Sequence, residues 1–302
     1  MATNTLHEEI SSNKMKTAGL LLFFMVFVGV VSAFLGYAFS GDVYASTIAI
    51  PVAAVYALFS YYSAGKMAVA MSGAKEIQEQ DNPRLWRTVE NLAITNGMPM
   101  PKVYIMDDPA LNAFATGRNP EHAIVAATTG LLAALTDSEL EGVMAHELGH
   151  VKNLDIRVSM MAFALVAVIS IVADIGMRML WFGGDRDRNG NGAAILIGIL
   201  IAIIAPIIAS LIRFAISRQR EYLADATGAL TTRYPEGLAT ALEKIKAQGS
   251  ATAKQNSATA HFYFSNPLRK SSFTSLFSTH PPIDERIARL RDMEDGVLGN
   301  GK

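Results

Sequence analysis

The stretch Thr136-Asp137-Ser138-Glu139-Leu140-Glu141-Gly142-Val143-Met144-Ala145-His146-Glu147-Leu148-Gly149-His150 decides how this chain is read. Thr136 with Glu139 three residues later is a capping box, which predicts a helix N-terminus. Leu140, Met144, Leu148 and Val151 then recur at helical spacing and give that helix an apolar face. His146 and His150 are four apart, so both imidazoles project from one side of it, with Glu147 beside them. On a helix, H-E-x-x-H is a zinc-binding signature in which the Glu acts as general base. The competing reading is a helix that happens to carry two surface histidines.

Composition narrows the chemistry. The chain has 302 residues, 51% of them hydrophobic, and a formal net charge of -1, so nothing points to nucleic acid. There is no cysteine. That excludes disulfides and any thiolate-ligated metal, and leaves histidine and carboxylate as ligands.

Four segments are apolar for about the 20 helical residues that a bilayer requires. They are residues 17–39, 43–63, 158–182 and 193–217. Segment 17–39 lacks a cleavage site and is followed at once by the next, so it reads as a retained anchor rather than a signal peptide. Lys14 and Lys16 precede the first hairpin, Lys66 and Lys75 follow it, and the turn Ser40-Gly41-Asp42 carries no positive charge. The excess of Lys on the flanks places both ends in the cytoplasm. The expected order is a tail (1–16), a transmembrane hairpin (17–63), a first part of a polar domain (64–157), a second hairpin (158–217) and a second part (218–302). Segments 158–182 and 193–217 can also be read as a buried or shallow hairpin.

The polar parts read as α+β, mostly helical with a small β-sheet. Lys75 to Gly97 is expected as one amphipathic helix with Leu85, Val89 and Leu92 or Ala93 inward. Residues 102–106, 112–117 and 123–127 read as strands. Glu236 to Lys246 reads as another helix. Pro281-Pro282 opens one with Ile283, Ile287 and Leu290 on one face.

A catalytic zinc takes three protein ligands and leaves one position open. Of the other histidines, His7 lies in the tail and His122, His261 and His280 in loops. Glu221-Tyr222-Leu223-Ala224-Asp225 is the better source. Glu221 and Asp225 share a helix face, so Glu221 can ligate while Asp225 holds a ligand histidine by its other ring nitrogen.

These motifs together resemble the HtpX-type heat-shock membrane metalloproteases, relatives of the CAAX prenyl proteases. The likeness rests on His146-Glu147-Leu148-Gly149-His150, on Glu221 to Asp225 after a hydrophobic hairpin, on Asn112-Ala113-Phe114 upstream and on Ser278-Thr279-His280-Pro281-Pro282 downstream. The resemblance covers nearly the whole chain. It implies a gluzincin-like domain in a bacterial inner membrane, with the site and both termini cytoplasmic. It implies one Zn2+ held by His146, His150 and Glu221, with Glu147 as the catalytic residue. It also implies cleavage of misfolded or damaged membrane proteins in stress response. Self-cleavage and cooperation with other membrane proteases are further implications.

His280 is the expected oxyanion donor, with Arg218 and Tyr222 as alternatives. Asn112, Ala113 and Phe114 are expected to form an exposed edge strand that pairs with extended substrate; the alternative is an ordinary interior strand. Two other functions remain open. One is an intramembrane zinc protease, against which the charges flanking the motif argue. The other is a non-catalytic zinc-binding membrane protein.

Overall fold

The computed structural model describes residues 11, 13–23, 25–27, 29–30, 33, 45–163, 218–249, 251–253, 263–265 and 281–299. The first hairpin's turn, the second hairpin beyond residue 163, and His7, His261 and His280 lie outside the described residues.

Helix α1 is described over 13–23 and in short pieces to 33. Helix α2 (Ala45–Ser72) carries Pro51 and continues past the expected end of the second apolar segment. It stops where Gly73 adopts φ 73°, with Ala74 N–H returning to the Val69 carbonyl. Gly tolerates that left-handed geometry at a helix end. The last turns of α2 pack Ala68 against Met106, Phe114 and Ala126, so the helix is seated on the polar domain.

The stretch expected as one helix from Lys75 to Gly97 is divided. Lys75–Glu76 forms a short strand, β1, and helix α3 begins only at Pro83 and ends at Thr95. The cause is the Asn82-Pro83 pair. The Asn82 side chain accepts from Leu85 N–H, and Pro83, with no N–H to leave unpaired, starts the helix. Leu85, Val89, Leu92 and Ala93 are buried, as the periodicity predicts.

Strands β2 (Lys102–Met106), β3 (Ala113–Thr116) and β4 (Ile124–Thr128) complete a sheet of order β1-β2-β4-β3. β2 and β4 run parallel, and β1 and β3 are antiparallel to their neighbours. All residues of β4 are buried, as its central place requires. Thr128 caps the short helix α4 (Thr129–Ala134), which leads to the motif helix.

That helix, α5 (Asp137–Lys152), has the expected capping box, with Thr136 and Glu139 bonded reciprocally. It lies in the middle of the core, with Leu140, Val143, Met144, Ala145 and Leu148 fully buried. Each such leucine contributes about 1.5–3 kcal/mol. Helices α7 (Arg218–Thr232) and α8 (Pro235–Gln248) cover it. Both approach very closely. A Cβ on Gly142 would lie 2.7 Å from the Leu238 nitrogen, and one on Gly228 would lie 3.0 Å from the His146 nitrogen. The second contact sets α7 against the metal-binding turn of α5.

After α5 the chain makes an elbow. Leu154 takes φ 60°, and a new helix, α6, is described from 155 to 163. Helix α9 (Ile283–Gly299) closes the core with Ile287 and Leu290 inward.

Among the described residues, no helix is long and apolar enough to cross a membrane. Segment 193–217 and most of 158–182 lie outside them.

Candidate metal centre

His146 and His150 lie one turn apart on α5, and Glu221 reaches them from the first turn of α7. One ligand atom from each lies within 4.8 Å of the other two. The two Nε2 atoms are 3.1 Å apart. Glu221 Oε1 is 3.4 Å from His150 Nε2, and Oε2 is 3.8 Å from His146 Nε2. A tetrahedral zinc with bonds of 2.0–2.1 Å sets its ligand atoms roughly 3.3 Å apart. The three separations bracket that value. The expected ligand set is therefore brought together in a geometry that fits zinc.

Each imidazole is held by its other nitrogen, which leaves Nε2 free for the metal. His146 Nδ1 is 2.8 Å from Asp225 Oδ1, one turn beyond Glu221, as the sequence spacing anticipates. His150 Nδ1 is 3.0 Å from Asp155 Oδ2. This second carboxylate is not evident from spacing. Five residues along an unbroken helix point to a different side. Asp155 reaches back only because the chain turns at Leu154.

Behind Asp225 stands Arg286, 1% exposed. It donates from Nε at 2.8 Å and from Nη2 at 2.7 Å to the two Asp225 oxygens. Its guanidinium also lies over the Phe264 ring, 4.9 Å from the centroid. Sequence reasoning missed Arg286, which shares no local motif with the metal ligands. Its position three residues after the inward-facing Ile283 was the available signal.

The two histidines titrate in opposite directions. Burial pushes His146 down to about 4, and Arg286 adds to this against the pull of Asp225. Burial would lower His150 as well, but Asp155 and Glu221 hold it well above its ordinary value. His150 is raised by two carboxylates, Asp155 and Glu221, where His146 has Asp225 alone, opposed by Arg286 and His150. Asp225 itself is held down to about 2, since Arg286 and His146 outweigh the cost of its burial.

Glu147 is 2% exposed, and its Oε1 has no partner. Burial pushes its carboxyl up to about 7, near the working range of a general base, while His150 and the Ala115 N–H pull the other way.

The edge-strand expectation needs correction. Asn112, Ala113 and Phe114 are all buried. β3 is last in the sheet, but its outer edge is covered by residues 263–265. The Asn112 amide donates to Ser265 O at 2.8 Å, and Asn112 Oδ1 accepts from Ser265 N–H at 3.1 Å. Phe264 N–H donates to Ala113 O at 2.8 Å. The Phe114 and Tyr263 rings meet edge-to-face at 5.3 Å. Phe264 in turn meets the His146 ring at 5.0 Å. Of the expected oxyanion donors, His280 lies outside the described residues. Arg218 is exposed. Tyr222 is stacked under Arg289 and hydrogen-bonded to Glu285.

The chain is similar to known proteins over nearly its whole length. A family model described as peptidase family M48 matches residues 79–294. A protein named "Protease HtpX homolog" from Tropheryma whipplei (strain Twist) is 52% identical over 290 residues, covering 94% of this chain and 97% of that protein. One of the same name from Ligilactobacillus salivarius (strain UCC118) is 44% identical over 295 residues, covering 95% and 100%. Among solved structures, that of S. mikatae Ste24p aligns with a TM-score of 0.49 and 18% identity, and 94% of this chain spans 66% of that one.

Proposed function

The chain belongs to peptidase family M48 and is a metallopeptidase, and from that premise we propose a membrane-anchored zinc endopeptidase whose site faces the cytoplasm. The single observation that carries the zinc assignment is the convergence of His146, His150 and Glu221 at tetrahedral spacing, with both Nδ1 atoms already engaged.

A zinc ion held by His146, His150 and Glu221 would supply a bound water acidified toward neutrality and a positive charge for the scissile carbonyl. The chain's own groups do the rest. Glu147 would take a proton from that water and later give it to the leaving amine. Its burial raises its basicity for that role. Asp225 and Asp155 fix the two ring planes and tautomers. Arg286 keeps Asp225 ionised, so Asp225 remains an acceptor for His146 Nδ1–H. The buried setting keeps bulk water from these charges, which strengthens each interaction.

Membrane anchoring is supported by the four apolar segments and by the side chains on α2 that face outward. Val55, Leu58, Phe59 and Tyr62 recur at helical spacing and are 56–68% exposed. A face of that size is stable against lipid rather than water. The relatives' name, protease, supports action on proteins, and misfolded or damaged membrane proteins are the substrates we assign. The intramembrane alternative is disfavoured because α5 is enclosed by α3, α7, α8 and the sheet.

The test is hydrolysis of casein by purified protein in detergent, with zinc content measured in parallel. Parental protein cleaves, a chelator stops it, and Glu147→Gln loses cleavage while keeping stoichiometric zinc. Glu221→Ala loses the zinc. Cleavage by Glu147→Gln at the parental rate removes Glu147 as the base.

A further inference from the structure

We propose that Asn13, on the N-terminal helix, is a positioning residue of the metal centre, acting on His150 through Asp155. The proposal rests on the zinc-site reading above. The Asn13 side chain is completely buried. Its Nδ2 donates to Asp155 Oδ1 at 2.9 Å, and Asp155 Oδ2 faces His150 Nδ1 at 3.0 Å. The two oxygens of one carboxylate are thus divided, one for the ligand imidazole and one for α1. Arg220 Nε stands 3.5 Å from the oxygen that Asn13 also holds.

The same nitrogen makes a second bond. Nδ2 donates to the Asn153 carbonyl at 2.9 Å. Asn153 is the C-cap of α5, where backbone carbonyls have no partner within the helix. One amide therefore spans the elbow and ties the end of α5 to the start of α6. Between the two tied points lies Leu154 at φ 60°, a conformation that L side chains adopt at a cost. The elbow brings Asp155 back to His150, so a group that fixes the elbow also fixes the imidazole. Asn13 lies 140 and 142 residues in sequence from the two groups it holds.

The amide suits this task. An NH2 group has two hydrogens and presents no charge, so it can hold a carboxylate oxygen and a carbonyl together. An Asp in its place has nearly the same shape but turns an acceptor toward both. A segment that reads in sequence as a tail leading into an anchor thereby takes part in the metal centre.

The experiment uses the full chain in detergent, stripped of metal and titrated with zinc against a chromogenic chelator. The variants are Asn13→Ala, Asn13→Asp, Asp155→Asn and the Asn13→Ala/Asp155→Asn double. Outer partners of ligand imidazoles change metal affinity about 10–100-fold. Asn13→Ala is expected to weaken zinc about 10-fold and the near-isosteric Asn13→Asp more. The double variant is expected to bind no more weakly than Asp155→Asn alone, because Asn13 acts through that carboxylate. A merely structural Asn13 gives independent losses that multiply in the double, and that result overturns the proposal. Parental affinity in both Asn13 variants also overturns it. If the parental chain itself takes up no zinc, the metal-centre reading fails first and this proposal with it. The thermal midpoint of each metal-free protein shows whether Asn13→Ala is folded; Asn13→Asp carries the test where it is not.

Discussion

Arg286→Met removes a buried charge and leaves its partner behind. Arg286 and Asp225 are 1% and 2% exposed and are joined by two bonds of 2.8 and 2.7 Å. Truncating one member of such a pair costs about 3–5 kcal/mol, because the other charge stays desolvated. Domains are stable by only about 5–15 kcal/mol, so this is a large share. At roughly 2–4 °C per kcal/mol, the unfolding midpoint should fall by about 6–20 °C. Met keeps much of the apolar volume over Phe264, so the loss is mainly electrostatic. The assay is thermal unfolding of the metal-free protein in detergent, followed by tryptophan fluorescence, since Trp86 packs against the core. A second variant, Arg286→Met/Asp225→Asn, removes both charges and should recover part of the midpoint. It should not recover zinc affinity, because a neutral amide is a poorer partner for His146 than the Asp225 carboxylate. A midpoint for Arg286→Met within about 2 °C of the parent, less than 1 kcal/mol would give, refutes the claim that this pair holds the site together.

Two further outcomes follow from the packing and the charges. Gly142→Ala should destabilise by about 1–3 kcal/mol in denaturant titration, since the new methyl meets the Leu238 backbone and neither helix can yield there. Glu139→Gln preserves the capping box but loses the charge that Lys244 meets at 2.7 Å. Burial would raise the Glu139 pKa, yet Lys244 and Thr136 outweigh it and hold the carboxyl below 4.5 in the folded chain. A depressed carboxylate contributes stability above its unfolded pKa and loses it as pH falls through the folded one. The parent should therefore exceed Glu139→Gln in stability at about pH 7, with the gap closing below about pH 4.5; a gap independent of pH removes the ion pair as its cause.

Local spacing carried much of the site. The capping box, the i,i+4 histidines and the i,i+4 acids Glu221 and Asp225 are each set by one helix, so a single stretch of sequence reveals them. Which helix faces which is set by close approach, as at Gly228 against His146, and no local pattern reports it. Asp155 escaped notice because its role depends on one left-handed residue. Arg286 and Asn13 escaped because their partners are 61 and 142 residues away. The covered edge of β3 was hidden for the same reason: Asn112 meets Ser265 at a separation of 153. The split of Lys75 to Gly97 was legible in Asn82-Pro83, a helix-start signal that apolar periodicity alone does not register.

The parts of the metal cage also become available in a fixed order during translation. His146, Glu147 and His150 leave the ribosome first, Glu221 well after them, and the arginine that clamps Asp225 later still. At about 5–20 residues per second, Arg286 follows His150 by roughly 7–27 s. Until Glu221 emerges the nascent chain lacks one of the three ligands, and until Arg286 emerges Asp225 lacks its buried partner. The order of synthesis thus leaves the ligand set open until the second apolar segment pair has been made, and the clamp on Asp225 open until almost the last helix has emerged.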